Sequence, residues 1–120
     1  MAKTEEGKLS EQVDNYLTQK HVYHGRDQAT SNSNGNSDWW FLRKGIYGRL
    51  ELKAEKGKPT KLQLAKLQSI NENGGIGVVV KKLDQVKILI AYIDDPFTYG
   101  TDEINHYDDF RAVCGDRYDN

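Results

Sequence analysis

Hydrophobic and polar positions alternate with two different periods along this chain. Leu9, Val13, Tyr16 and Leu17 recur at helical spacing with Ser10 available as a cap, which predicts a helix from about Ser10 to Gln19. His21 to His24 reads as a short strand. Asp27 to Ser37 is rich in Ser, Asn and Gly and reads as an exposed loop. Asp38 to Lys44 and Ile46 to Ala54 read as two strands of a hairpin turning at Lys44-Gly45. After a turn at Glu55 to Pro59, Thr60 followed three residues later by Gln63 matches a capping box. The helix it opens is expected to reach about Glu72, with Leu62, Leu64, Ala65, Leu67 and Ile70 on its apolar side. Asn73-Gly74-Gly75 supplies the left-handed stop. Ile76 to Val80 reads as a buried strand and Val86 to Ile93 as the next. Beyond Pro96 the periodicity fades, leaving an acidic, aromatic segment with a short helix near His106 to Val113. No internal repeat is found.

The order of helix, strands, helix, strands predicts an α/β or α+β domain with a central mixed sheet flanked by helices. A chain of 120 residues carries one such domain. The hydrophobic fraction of 37% is low, which predicts a small core or one completed by a partner chain. The longest apolar run, Ile88 to Ile93, is far below the roughly 20 residues of a membrane span. The first residues contain no apolar stretch of signal-peptide type. With Cys114 as its one cysteine, the chain builds no internal disulfide framework, and a cytoplasmic location is expected.

Charge is unevenly spread. Residues 1–42 have 4 Lys/Arg against 6 Asp/Glu, residues 43–87 have 11 against 4, and residues 88–120 have 2 against 8. The basic middle is what a phosphate backbone would attract, and equally what a solvated lysine surface would look like.

The chemistry concentrates between Asp38 and Gln63. Residues two apart in a strand share a face, so Glu51 and Lys53 project together and Leu52 faces the other way. With Asp38 on a neighbouring strand, two carboxylates and an ammonium would converge. Two hard oxygen donors with open positions suit Mg²⁺ or Mn²⁺, and the Leu52 carbonyl could complete the set. Such a site fits phosphodiester hydrolysis. Taken alone, Glu-X-Lys is also an ordinary solvated strand face.

The stretch resembles the PD-(D/E)XK nuclease superfamily, in particular the stand-alone form of the virus-type replication-repair nuclease (VRR-NUC) family. Gly35-Asn36-Ser37-Asp38 stands where that family has Gly-X-Pro-Asp, with Ser37 replacing the proline. Glu51-Leu52-Lys53 matches its Glu-X-Lys, Gly57 and Gln63 its glycine turn and helix-start glutamine, Glu11 its first-helix acid, and Gly74-Gly75 the glycine before its hydrophobic strand. The likeness covers about residues 9–92, and the acidic extension from about 94 to 120 has no counterpart. It implies a restriction-endonuclease-like core and metal-dependent cleavage of DNA, often branched or flapped, by a homodimer. It implies metal ligation by Asp38, Glu51 and Leu52, a catalytic Lys53, an orienting Gln63 and an accessory Glu11. Lys56, Lys58, Lys61 and Lys66 flank this site and are candidates for phosphate contact.

Other chemistries have less support. His21, His24 and His106 lack the spacing of a zinc site. Cys114 has no activating neighbour in the sequence. The absence of a GxxxxGK loop leaves no case for a nucleotide cofactor. A non-catalytic nucleic-acid-binding module and a protein-interaction domain remain as alternatives.

Overall fold

The computed structural model describes residues 4–27 and 38–95. The bulk of the Ser/Asn/Gly loop, the expected helix near His106 to Val113, Cys114 and the acidic extension past Asp95 lie outside the described residues. Seven elements follow in the order α1 (Glu5–Gln19), β1 (Tyr23–Arg26), β2 (Asp38–Arg43), β3 (Ile46–Leu52), α2 (Lys61–Glu72), β4 (Ile76–Val80) and α3 (Leu83–Asp94). The sheet order is β1-β2-β3-β4, with β1, β2 and β3 an antiparallel meander and β4 parallel to β3. The fold is α+β, with a mixed sheet between helices, as the element order predicts.

Strand alternation divides β3 cleanly. Leu50 and Leu52 enter the main core, while Tyr47, Arg49 and Glu51 take the opposite face. The main core joins α1 (Leu9, Val13, Leu17) and α3 (Val86, Leu89, Ile90, Ile93) to the sheet through Leu50, Leu52, Ile76, Val78 and Val80. Helix α2 covers the other face of β3 and β4, burying Leu67. All five residues of β4 are consequently buried, as expected of a parallel strand with helices on both sides.

Four expectations need correction. Val86 to Ile93 is not a strand but the body of α3. Leu83, Val86, Leu89/Ile90 and Ile93 repeat at helical spacing, with Asp84 and Lys87 exposed on the outer side. A continuous apolar run conceals this period because the half-buried Ile88 and Ala91 on that outer side are apolar too. The start is capped from inside the helix, where Gln85 Oε1 accepts from the Lys81 and Lys82 backbone N–H groups at 2.7 and 3.1 Å.

Helix α1 begins earlier than Ser10. Thr4 is its cap and accepts from the Gly7 N–H at 3.0 Å, with Glu5 and Glu6 in the first turn. Ser10 is instead buried mid-helix, where its Oγ accepts from the Trp39 indole N–H at 2.9 Å.

β1 begins at Tyr23 rather than His21. His21 sits in the left-handed region with φ 58, and the Val22 N–H reaches back to the Leu17 carbonyl at 2.9 Å. That is a Schellman stop made without glycine, closed by two core side chains, Val22 and Leu17.

The apolar side of α2 is narrower than expected. Leu62 is 68% exposed and Ala65 is exposed, because the helix turns the Leu64, Leu67 and Ile70 stripe to the sheet.

The remaining landmarks stand as read. Lys44 (φ 52) and Gly45 (φ 80) form the two-residue turn of the β2–β3 hairpin. Gly74 (φ 91) ends α2. The structure adds that Trp39 is core while Trp40 lies half-buried, its ring 5.4 Å from Tyr23 in an edge-on arrangement.

Candidate active site

β3 and β4 run parallel and end together, and the antiparallel β2 starts beside the end of β3. Asp38 is the register partner of Glu51, and Leu52 is the register partner of Val80. One more ladder bond, from the Lys53 N–H to the Val80 carbonyl at 3.0 Å, holds the chain straight past the end of β3. The backbone therefore sets Asp38 beside Glu51, two residues before Lys53, at the carboxyl ends of the parallel strands, where open α/β sheets place their ligands.

The Glu51 carboxylate is almost fully buried, with 4% exposure, and Lys53 Nζ lies 3.8 Å from its Oε1. A buried carboxylate is costly unless compensated, so a neighbouring ammonium is the minimum this site requires. Leu52 points into the core, as alternation requires, and its backbone lies between the two charged residues. For hard cations the donor set is chemically suitable, comprising carboxylate and carbonyl oxygen with no sulfur or imidazole. Among the described residues no group of three or more His, Cys, Asp or Glu side chains is placed to hold a metal ion.

Lys53 also lines a cavity of about 230 Å³ between α1, the end of β3 and the start of α3. From α1 it receives Glu5, Lys8, Leu9 and Gln12, one helical face. From the other side come Ala54, Glu55, Lys81, Lys82 and Leu83. Lys81 Nζ donates to the Glu55 carbonyl at 2.8 Å. Four lysines face two glutamates here, beside the positive ends of α1 and α3.

The other residues singled out from the sequence are placed differently. Gln63 completes the capping box: its Oε1 accepts from the Thr60 N–H at 2.8 Å and its own N–H donates to Thr60 Oγ1 at 3.1 Å. Glu11 is exposed on α1 and is not among the α1 residues on the Lys53 cavity, which are Glu5, Lys8, Leu9 and Gln12. Lys56, Lys58 and Lys61 are exposed along the β3–α2 connection and the first residue of α2. Lys66 is exposed on α2 and lines a separate groove of about 450 Å³ with Tyr47, Arg49 and Ile70. In that groove Arg49 is ion-paired with Asp27.

Lys8, Lys81 and Lys82 escape a reading that scans outward from Glu-X-Lys. A signal existed: Lys81-Lys82 directly follows a fully apolar strand, so it stands at a strand's carboxyl end. Only the parallel β3–β4 pairing sets that end beside Lys53. His24, considered and set aside for zinc, is structural: its Nε2 lies 2.9 Å from Asp14 Oδ1 and its Nδ1 2.6 Å from the Val22 carbonyl oxygen.

The chain matches no family model, no curated protein and no solved structure.

Proposed function

We propose that this protein is a metal-dependent endonuclease that hydrolyses phosphodiester bonds in DNA, with the restriction-endonuclease-like core and VRR-NUC likeness that its motifs imply. The observation that carries the reading is the alignment of Asp38 with Glu51 across two strands, with the Lys53 ammonium 3.8 Å from the Glu51 carboxylate at the carboxyl end of the sheet. A solvated Glu-X-Lys face would leave Glu51 in water, whereas here it is buried.

In this reading Asp38, Glu51 and the Leu52 carbonyl would hold Mg²⁺ or Mn²⁺, which would supply charge neutralisation at the phosphate and a more acidic water. Lys53 orients the attacking water and stabilises charge growing on the phosphoryl oxygens. Glu51 fixes the Lys53 ammonium near the reacting centre. Gln63 acts through the β3–α2 connection that its capping box anchors, Glu11 is an accessory acid, and Lys56, Lys58, Lys61 and Lys66 meet outlying phosphates. Branched DNA is the expected substrate and a two-fold homodimer the expected assembly, since a four-way junction is nearly two-fold symmetric.

The test uses a labelled four-way junction and a matched linear duplex, each with Mg²⁺, Mn²⁺ or EDTA, beside Lys53→Ala. Cutting that needs metal and drops at least a hundredfold in the variant is the expected result. No cutting of either substrate by the wild-type chain, with DNA binding retained, would replace the enzyme with a binding module of the same fold.

A further inference from the structure

The cavity beside Lys53 has a chemistry of its own. Lys8 comes from α1 and the adjacent Lys81 and Lys82 from the β4–α3 junction, two places far apart in sequence that converge with Lys53 on about 230 Å³. Lys81 is held there by its bond to the Glu55 carbonyl, so it is aimed rather than free to wander. Glu5 and Glu55 reduce the surplus of positive charge without cancelling it. Lysine is a point charge with three donors, suited to a phosphate oxygen approached from several directions. The cavity has room for a phosphate with part of its sugar, and Lys53 is one of its lining residues.

We propose that this cavity binds one phosphate group of a nucleic-acid strand, next to the phosphate that is cut, through Lys8, Lys81 and Lys82. The proposal rests on the nuclease reading for the nature of the ligand and extends it by assigning the grip. It shifts the nearest phosphate contacts from the β3–α2 connection to the groove between α1 and α3. The phosphate is either a strand terminus or an internal diester, and the experiment separates the two.

Binding is measured on the full chain in EDTA, so that no cutting interferes. The probes are a labelled single strand with a 5′-phosphate, the same strand with a 5′-hydroxyl, and a duplex, each over a salt series. Each phosphate-contacting lysine contributes about 0.7–0.9 to the slope of log affinity against log salt. Lys8→Gln/Lys82→Gln is expected to lower that slope by about 1.4–1.8 and to weaken binding about tenfold or more at low salt. Lys87→Gln, on α3 but over the Tyr16 ring, is the control and should leave the slope unchanged. A preference for the 5′-phosphate that disappears in the double variant assigns a terminal phosphate. Equal losses on all three probes assign an internal one.

A wild-type slope in the double variant, or an equal loss in Lys87→Gln, overturns the proposal, as does a wild-type chain that binds none of the probes. If the double variant is unfolded by circular dichroism, Lys8→Gln alone must lower the slope by about 0.7–0.9. A slope change without metal-dependent cutting keeps the cavity and removes the nuclease. Cutting with an unchanged slope does the reverse.

Discussion

Glu51 and Ser10 show how much a single position can carry. Glu51 reads as half of a common dipeptide pattern, yet it is among the few buried polar residues described. Ser10 reads as a helix cap, yet its hydroxyl is a buried acceptor for the Trp39 indole. Ser10→Ala would strand that N–H in the core, and thermal or denaturant unfolding should register a loss of about 1–3 kcal/mol. A change below about 0.5 kcal/mol would mean the indole finds water. Gly45 tests backbone conformation alone, because a Cβ there meets nothing within 4 Å. Gly45→Ala should therefore cost about 1–2 kcal/mol purely from its positive φ, and an unaltered melting curve would show that the hairpin turn can relax.

At the scale of elements, two devices fasten the layers. The Arg43 guanidinium grips Asp94 through Nε and Nη2, both at 2.9 Å, and reaches the Lys20 carbonyl at 3.1 Å. One side chain thus ties the ends of α3, β2 and α1. Asp94 sits at the carboxyl end of α3, where a negative charge is unfavourable, and the Arg43 and Lys44 cations offset it. The Arg43 hydrogen bond holds the Asp94 carboxyl below its ordinary value. A lowered carboxylate contributes stability above the ordinary aspartate range and loses it as pH falls through the folded-state value. Asp94→Asn should therefore cost about 1–2 kcal/mol near neutral pH. That gap should close on acidification below about pH 4. A gap that persists in acid would assign the cost to geometry, not charge.

The second device is Asn71, whose amide both donates to the Gly77 carbonyl at 3.1 Å and accepts from the Gly77 N–H at 2.7 Å. It covers backbone polar groups on the outer strand of the sheet with a side chain of α2. Asn71→Ala should cost about 1–3 kcal/mol in unfolding experiments. If stability stayed at the wild-type level, water would be satisfying those groups.

The described residues form a mixed sheet with α1 and α3 on one face and α2 on the other, and the candidate site occupies the end where β3 and β4 finish. No helix among the described residues is long and apolar enough to cross a membrane. The proposed homodimer is checked by sedimentation of the full chain, which should give about twice the 13.7 kDa chain mass. A monomer that still nicks both strands of a junction would remove the symmetry argument while leaving the site intact.

Local chemistry was legible wherever it is local. The capping box at Thr60, the left-handed stop at Gly74, the Lys44-Gly45 turn and the shared face of Glu51 and Lys53 all depend on neighbours within a few residues, so the sequence alone determined them. The opposite happened where burial sets the answer. A helix packed on one side only and a strand packed on both can carry the same short apolar run. Nothing between Val86 and Ile93 announces that α3 is the former. Which face of α2 meets the sheet, why Ser10 is inside and why His21 ends a helix without being glycine were all decided by packing. So was the convergence of Lys8, Lys53, Lys81 and Lys82, because parallel pairing of β3 with β4 is a long-range contact with no local signature. Spacing along the chain determined which residues share a face, and tertiary structure alone decided which faces meet.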